Sequence, residues 1–308
     1  MDVVETVAGC RALLDHARAA GRVVGLVPTM GALHDGHRSL MARASAECDV
    51  VAVSIFVNPL QFGEAEDMER YPRTLERDLF VCAEAGADVV FVPTLREMYP
   101  SWPAAPSTTV SAGGVSDAWE GAARPGHFDG VATVVAKLFA IAGPCRAYFG
   151  LKDFQQLAVV RGLARDLALP VEVVGCPIVR EADGLALSSR NVRLSADERA
   201  AATVLSSALA AGRAAVAGGE RSGAAVGRAM RAAVATEPLV RLDYAVAVDA
   251  ATLRESDAID DPQAVRLLVA AQVGPVRLID NSAALDAVDD VPAVPDVTDQ
   301  VGRLERIG

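Results

Sequence analysis

The run Val50-Val51-Ala52-Val53-Ser54-Ile55-Phe56 constrains this chain more than any other stretch. It has almost no polar residue to turn toward water. A strand of that kind must be covered on both faces, as the strands of a parallel sheet are. Shorter strand-like runs recur at Val23–Val27, Asp88–Val92, Ala147–Phe149 and Val171–Val174. Between them lie segments with helical spacing, near 4–20, 37–47, 73–85, 131–141 and 153–167. Gly86 ends one of these helices and Pro93 stops the strand after it. Strands alternating with helices predict an α/β fold, a doubly wound parallel sheet. In such sheets ligands sit beyond the carboxyl ends of the strands.

The pattern changes near residue 190. Ser195-Ala196-Asp197-Glu198 has the form of a capping box opening a long Ala-rich helix that ends at Gly218-Gly219. Leu242–Val248 and Val265–Ala270 follow, and together these elements predict a smaller α+β domain. Residues 94–127 are rich in Pro, Gly, Ser and Thr and are expected to be irregular. Residues 283–308 are acidic, carry prolines and show little periodicity, so they read as a disordered tail. The expected division is 1–178, 179–282 and the tail 283–308.

The net charge of −11 argues against nucleic acid or an anionic membrane surface as a general partner. No apolar run reaches the roughly 20 residues of a membrane helix. Cys10, Cys48, Cys82, Cys145 and Cys176 are odd in number, widely spaced and lack a C-x-x-C pair. They read as reduced thiols of a cytoplasmic protein, and none lies beside a histidine in sequence as a nucleophilic thiol would.

Chemistry concentrates after the first of the short strands, in Pro28-Thr29-Met30-Gly31-Ala32-Leu33-His34-Asp35-Gly36-His37. A strand, a glycine-bearing turn and a helix start form a phosphate-binding geometry, because the first N–H groups of the helix lack partners. Both imidazoles can donate to phosphate oxygens there. The spacing resembles the His-x-Gly-His signature of enzymes that cleave ATP between its α- and β-phosphates. Two further loops lie at strand ends. Asn58-Pro59-Leu60-Gln61-Phe62 follows Phe56, and Gly150-Leu151-Lys152-Asp153 follows Phe149.

Lysine is scarce. Only Lys137 and Lys152 occur, and the other cations apart from histidine are arginines. Retention of a lysine at a strand end points to a need for a compact, mobile ammonium; Lys137 lies in an ordinary amphipathic helix. Asp153 opens a helix, where it serves either as a cap or as a ligand to a ribose hydroxyl. Of Gln155 and Gln156, one is expected to face the cleft. Leu187-Ser188-Ser189-Arg190-Asn191 offers adjacent hydroxyls and a guanidinium, either an ordinary polar loop or a clamp on a polyphosphate. His127 opens a helix and can line the cleft. His16 reads as structural. No H-E-x-x-H, Walker A loop or G-x-G-x-x-G fingerprint is present.

Taken together, Pro28–His37, Asn58–Phe62, Gly126–Ala136, Phe149–Gln156 and Arg180–Asn191 resemble the pantoate–β-alanine ligase (pantothenate synthetase) family, within the larger His-x-Gly-His nucleotidyltransferase-like group. Asp243–Val248 and Arg277-Leu278-Ile279-Asp280-Asn281 resemble its C-terminal domain, so the likeness runs from about residue 2 to 282. The resemblance implies a Rossmann-like ATP- and pantoate-binding domain, a smaller C-terminal lid and a cytoplasmic homodimer. It implies that pantoate, β-alanine and ATP are the substrates, with Mg²⁺ accompanying ATP and a pantoyl adenylate as intermediate. By the same resemblance ATP would contact Met30, Gly31, Ala32, Leu33, His34, Asp35, Gly36 and His37, then Gly150, Leu151, Lys152 and Asp153. It would also meet Val179, Leu187, Ser188, Ser189 and Arg190. His34, His37 and Lys152 would be catalytic, with His37 in a proton-donor role. Gln61, Gln156 and Asn58 would hold substrate, Gln61 meeting both pantoate and β-alanine.

Departures from the family pattern are few. Leu60 and Leu187 replace methionines common in relatives, swaps of similar volume. Arg77 replaces a frequent acidic residue, which weakens the expectation of a metal contact nearby but leaves Asp78 as one. Two other classes remain open from the residues alone: a plain nucleotidyltransferase with no amine step, and a non-catalytic ATP-binding module. Gln61 with Gln156 favours the ligase over the first, and the two histidines with Lys152 disfavour the second.

Overall fold

In a computed structural model, residues 1–63, 68, 69 and 71–285 are described; the tail expected to be disordered lies almost wholly outside them. Nine strands and ten helices of at least four residues are assigned among the described residues. The strands are β1 (Asp2–Val4), β2 (Val24–Thr29), β3 (Val50–Ile55), β4 (Val89–Phe91), β5 (Cys145–Gly150), β6 (Val171–Cys176), β7 (Val240–Asp249), β8 (Val265–Val273) and β9 (Val276–Ala283). The first seven helices are α1 (Val7–Ala19), α2 (Asp35–Glu47), α3 (Leu75–Glu84), α4 (Leu95–Met98), α5 (Glu120–Ala123), α6 (His127–Ala142) and α7 (Phe154–Asp166). The remaining three are α8 (Ala196–Ala201), α9 (Val204–Ala217) and α10 (Gly223–Val234).

The first six strands form one parallel sheet in the order β1-β4-β3-β2-β5-β6. All six residues of β3 are buried, as its composition requires. From β2 the chain moves to one side through β3 and β4, then returns to the other side through β5 and β6. The switch point therefore lies between β2 and β5. There the two strands pair only at Gly25–Leu26 and then part. Pro28, which has no N–H to give a ladder, sits just past that divergence.

The second sheet is antiparallel, β7-β8-β9. Its alternation divides two cores. Ala245, Ala247, Leu267 and Val269 pack with Leu205, Leu209, Val226 and Met230 of α9 and α10. Val246, Val248 and Leu268 face the other way and join the large core that includes Phe149, Leu151 and Phe154. The small sheet is thereby seated against the segment that carries Lys152.

Several sequence expectations need correction. The first helix starts at Val7 with Thr6 as its cap, because Asp2–Val4 forms an edge strand beside β4. Helix α6 begins four residues earlier than expected, after Gly126 at φ 78°. The long Ala-rich helix is broken at Ala202–Thr203 into α8 and α9. That stretch, Ala196–Ala217, is long and apolar enough to cross a bilayer by length and composition. Its apolar side instead packs on β8.

Candidate active site

A cavity of about 260 Å³ opens at the β2/β5 switch point. Its walls bring together loops that are up to about 250 residues apart in sequence, from Pro28 to Ile279.

The loop after β2 is held by its own backbone. Gly31 has φ 86° and Ala32 φ 51°, and a Cβ on Gly31 would meet a carboxylate oxygen of Asp78 at 2.9 Å. Asp78 is 1% exposed. Its two oxygens accept from Ala32 N (2.9 Å) and Leu33 N (2.8 Å), and one also from Thr74 Oγ1 (3.2 Å). Asp78, considered above as a metal contact, is turned away from the cavity and fixes the loop instead. Leu33 is buried in the core beneath.

The two histidines cap α2 reciprocally. His34 Nδ1 accepts from Gly36 N at 3.1 Å, and His37 Nδ1 accepts from His34 N at 3.3 Å. A backbone N–H can only donate, so each Nδ1 is unprotonated and each ring carries its proton on Nε2. Burial, aided by the Lys152 charge, lowers the His34 pKa. Burial and the neighbouring His34 push His37 down to about 3. The ring centroids are 4.2 Å apart. At neutral pH this is a pair of neutral imidazoles, each with one N–H left to give. Any donation by His37 at that pH comes from an imidazole, not from an imidazolium.

Gln61 comes from the turn Pro59–Gln61 after β3. Its Oε1 accepts from Asn58 Nδ2 at 3.1 Å, which leaves Nε2 aimed at the weakly accepting Met30 sulfur, 3.0 Å away. Asn58 has no polar valence left for a ligand. Its Oδ1 accepts from Tyr99 OH (2.8 Å) and Leu60 N (3.3 Å), and its Nδ2 also donates to Gly130 O (3.0 Å). It lines the cavity as a brace for Gln61. Glycine at 130 is required for α6 to approach this turn, since a Cβ would lie 2.2 Å from Leu60 O. His127 Nδ1 donates to Gln61 O at 2.8 Å, and burial together with Arg124 pushes its pKa down to about 4.

Lys152 and Asp153 form the turn between β5 and α7 and pair at 3.7 Å. Desolvation raises the Asp153 pKa, but Lys152, Arg190, His127 and Arg124 outweigh it and hold the carboxyl below its ordinary range. Asp153 is the residue before α7 but makes no side-chain capping bond, so its oxygens face the cavity. Gln156 also faces it, whereas Gln155 is buried and bonded to Glu120 N, Val115 O and Ala118 O.

Val179, Leu187, Ser188, Ser189 and Arg190 complete the wall, with Arg190 Nη1 3.5 Å from Arg277 O. Tyr71 reaches Ser189 through a side-chain hydrogen bond, and burial raises its hydroxyl pKa. Met30, Gly36 and Gly150 line the cavity as well. Gly31, Ala32, Leu33, Asp35 and Leu151 do not; they shape the loops behind it.

Four polar lining residues escape a local reading: Tyr71, Glu120, Arg124 and Arg277. Arg277 of β9 donates to Glu120 (2.6 Å) and Asp243 (2.7 Å), and Tyr244 OH donates to Glu120 at 2.8 Å. Glu120 and Arg277 are 157 residues apart, so no sequence window contains both. Among the described residues the lining holds four cations, Arg124, Lys152, Arg190 and Arg277, against two carboxylates, Glu120 and Asp153. The cavity is locally positive within a chain of charge −11. Fixed N–H donors, an ammonium and guanidinium groups around a central void suit a polyphosphate and the charge that develops when it is cleaved.

The family model for pantoate-beta-alanine ligase matches residues 2–283. The pantothenate synthetase of Rubrobacter xylanophilus is 55% identical over 270 residues, 86% of this chain and 92% of its own length. That of Chloroflexus aggregans is 53% identical over 281 residues, 91% of this chain and 99% of its own. The crystal structure of pantothenate synthetase from Thermus thermophilus is similar with a TM-score of 0.86 at 50% identity, covering 92% of this chain and 100% of that one. A pantoate-beta-alanine ligase from Francisella tularensis, complexed with beta-gamma ATP and beta-alanine, has a TM-score of 0.74 at 30% identity. It covers 92% of this chain and 98% of that one.

Proposed function

Because the chain belongs to the pantoate–β-alanine ligase family, we propose that it joins (R)-pantoate to β-alanine through a pantoyl adenylate. In the first step a pantoate carboxylate oxygen attacks the α-phosphorus of ATP, the bond from that phosphorus to the bridging α–β oxygen breaks, and pyrophosphate leaves. In the second the β-alanine amine attacks the acyl carbon, the bond to the adenylate oxygen breaks, the nitrogen loses a proton, and AMP departs.

His34 and His37 give their Nε2–H groups to phosphate oxygens, and Lys152 follows the negative charge onto the leaving pyrophosphate. Ser188, Ser189 and Arg190 hold the far end of the triphosphate. Gly150–Asp153 and Val179 meet the nucleotide, and Gln61 with Gln156 orients pantoate for in-line attack. The neutral state of the histidines supports this reading. They are fixed donors that need no proton uptake before ATP binds, so their contribution is preorganised. Residues 179–282 act in this reading as a lid that keeps water from the acyl adenylate, and the protein works as a cytoplasmic homodimer.

Among the described residues, no group of three or more His, Cys, Asp or Glu converges as metal ligands do. Glu120 is occupied by Arg277 and Tyr244. The donor set does not fit a resident metal. Mg²⁺ therefore enters as part of the substrate, carried on the phosphates.

The observation that carries the proposal is the convergence of the His34/His37 pair, Lys152, the Ser188–Arg190 loop and the Gln61/Gln156 pair on one cavity. The test is isotopic exchange of pyrophosphate into ATP, which must require pantoate, with AMP release requiring β-alanine as well. Exchange driven equally by an unrelated acid, or tight ATP binding without turnover, would overturn it.

A further inference from the structure

The two elements proposed to grip the triphosphate come from distant parts of the chain. Lys152 rides on the short turn after β5, and Ser188–Arg190 rides on a hairpin-like loop after β6. Electrostatic catalysis depends on their separation. Both are tied to two adjacent residues of β9, Asp280 and Asn281.

Asn281 is 2% exposed and every polar group of its side chain is engaged. Its Nδ2 donates both hydrogens to the turn, to Leu151 O at 2.9 Å and Lys152 O at 2.8 Å. Its Oδ1 accepts from Arg266 Nε at 2.7 Å. Two carbonyls on one side and a donor-only guanidinium on the other allow just this orientation of the amide. Arg266 is itself stacked over the Phe154 ring, 4.6 Å from its centroid, at the first residue of α7. The turn bearing Lys152 is therefore gripped from below by its own carbonyls.

Asp280 is 4% exposed. It takes the Arg180 guanidinium by both oxygens, at 2.6 and 2.9 Å. Arg180 also donates to Gly184 O (2.9 Å) and Asn281 O (3.2 Å). It stands at the base of the loop, bridged to Ala186, with Leu187 N bonded to Val179 O at 3.0 Å. The Ser188–Arg190 segment leaves directly from that base. Successive side chains of a strand point to opposite faces, so one dipeptide reaches two loops that approach from different sides. Arg277, Leu278 and Ile279, earlier on the same strand, line the cavity itself.

We propose that Asp280 and Asn281 are positioning residues that set the distance between Lys152 and the Ser188–Arg190 clamp. The proposal rests on the adenylation reading above, since only a triphosphate spanning both elements makes their spacing matter. A carboxamide that holds two carbonyls and a carboxylate that holds a fork act as a rigid gauge, and a misplacement of about 1 Å is enough to cost on the order of 100-fold in rate.

The test is a double-variant cycle on pantoate-dependent pyrophosphate exchange. Asn281→Asp keeps the size and the acceptor but sets an oxygen against two carbonyls. We expect it to lower kcat for exchange about 100-fold in the wild-type background and less than about 3-fold in a Lys152→Ala background, since it acts through Lys152. Aminolysis of chemically supplied pantoyl adenylate by β-alanine, which involves no triphosphate, stays within about 3-fold of wild type. Asp280→Asn, which keeps one bond to Arg180, gives the same split with a smaller exchange defect, and it decides the matter if Asn281→Asp does not fold. Multiplicative losses in the cycle, or parallel loss of exchange and aminolysis, would refute the positioning role. Absence of pantoate-dependent exchange in the wild-type enzyme would refute the underlying reading instead.

Discussion

Asn58 provides a sharp test of how this cavity is built. The residue is 1% exposed and makes four side-chain hydrogen bonds, to Tyr99, Leu60, Gln61 and Gly130. Replacing it with alanine removes the acceptor for the Tyr99 hydroxyl, which is itself 1% exposed. It also removes the donor to Gln61 Oε1. Gly130 O stays in the helical ladder of α6 and loses little. Two buried polar groups left without partners cost about 1–3 kcal/mol each, so the loss is about 2–6 kcal/mol. For a chain of this size that corresponds to a fall in Tm of roughly 4–12 °C. The functional consequence follows from the same bond. With Oε1 no longer fixed, the Gln61 amide rotates, and KM for pantoate rises by about tenfold or more while KM for ATP changes little. Tyr99→Phe is the control. It deletes the hydroxyl and leaves Asn58 still bonded to Gln61, so stability falls by about 1 kcal/mol and KM for pantoate stays within twofold. Thermal melts and initial-rate kinetics on the three proteins suffice. A pantoate KM in Asn58→Ala equal to wild type would show that Gln61 is oriented by something else. A stability loss below about 0.5 kcal/mol would show that the Tyr99 hydroxyl is satisfied without Asn58, and the burial argument would fail.

Two further outcomes are expected. Lys152→Ala lowers kcat for pantoate-dependent exchange by at least about 100-fold, as loss of a group that meets developing charge does; an unchanged rate in the purified variant removes Lys152 from that role. Stability also depends on pH with a definite sign: unfolded histidine takes up a proton near 6.5, whereas His37 and His127 do so in the folded chain only at about 3 and about 4. Unfolding therefore takes up protons below pH 6.5, and stability falls as pH drops through that window. Above it both states are neutral, and the histidines contribute no slope. Each adds at most about 1.4 kcal/mol per pH unit, so His37→Asn makes the decline between pH 6.5 and 4.5 shallower by up to that amount. Equal slopes in urea titrations of the two proteins would contradict the neutral-imidazole assignment.

The parallel sheet was legible because β3 has no face to show to water, and the smaller α+β domain because β7 and β8 carry the apolar runs Ala245–Val248 and Leu267–Ala271. Elements that failed to announce themselves did so for physical reasons. Three residues of β1 cannot display a period. Helix α10 opens with Gly223 and contains Gly227, both poor helix formers in isolation. Tertiary packing demands them: a Cβ on Gly223 would lie 1.7 Å from Ser256 O, and one on Gly227 would lie 3.1 Å from Ala245 O. Strand β9 was hidden by Asp280 and Asn281, polar residues in positions where an apolar alternation is expected.

At the cavity the contiguous motifs were legible because helix caps and strand ends are local events. Their roles were not, because a role depends on which valences remain free after folding. Asn58, Gln155 and Asp78 carry the same kinds of atoms as Gln61, Gln156 and Asp153, and sequence alone ranks them alike. Hydrogen-bond accounting separates them. Asn58, Gln155 and Asp78 spend their side-chain groups on backbone or neighbouring side chains. Gln61 retains an amide nitrogen that, among the described residues, faces only a methionine sulfur. His34 and His37 spend one nitrogen each on the helix cap and keep the other. A folded chain satisfies its buried polar groups wherever it can. Groups held rigid on one side and left open toward a common void are the ones whose remaining partner must come from a ligand.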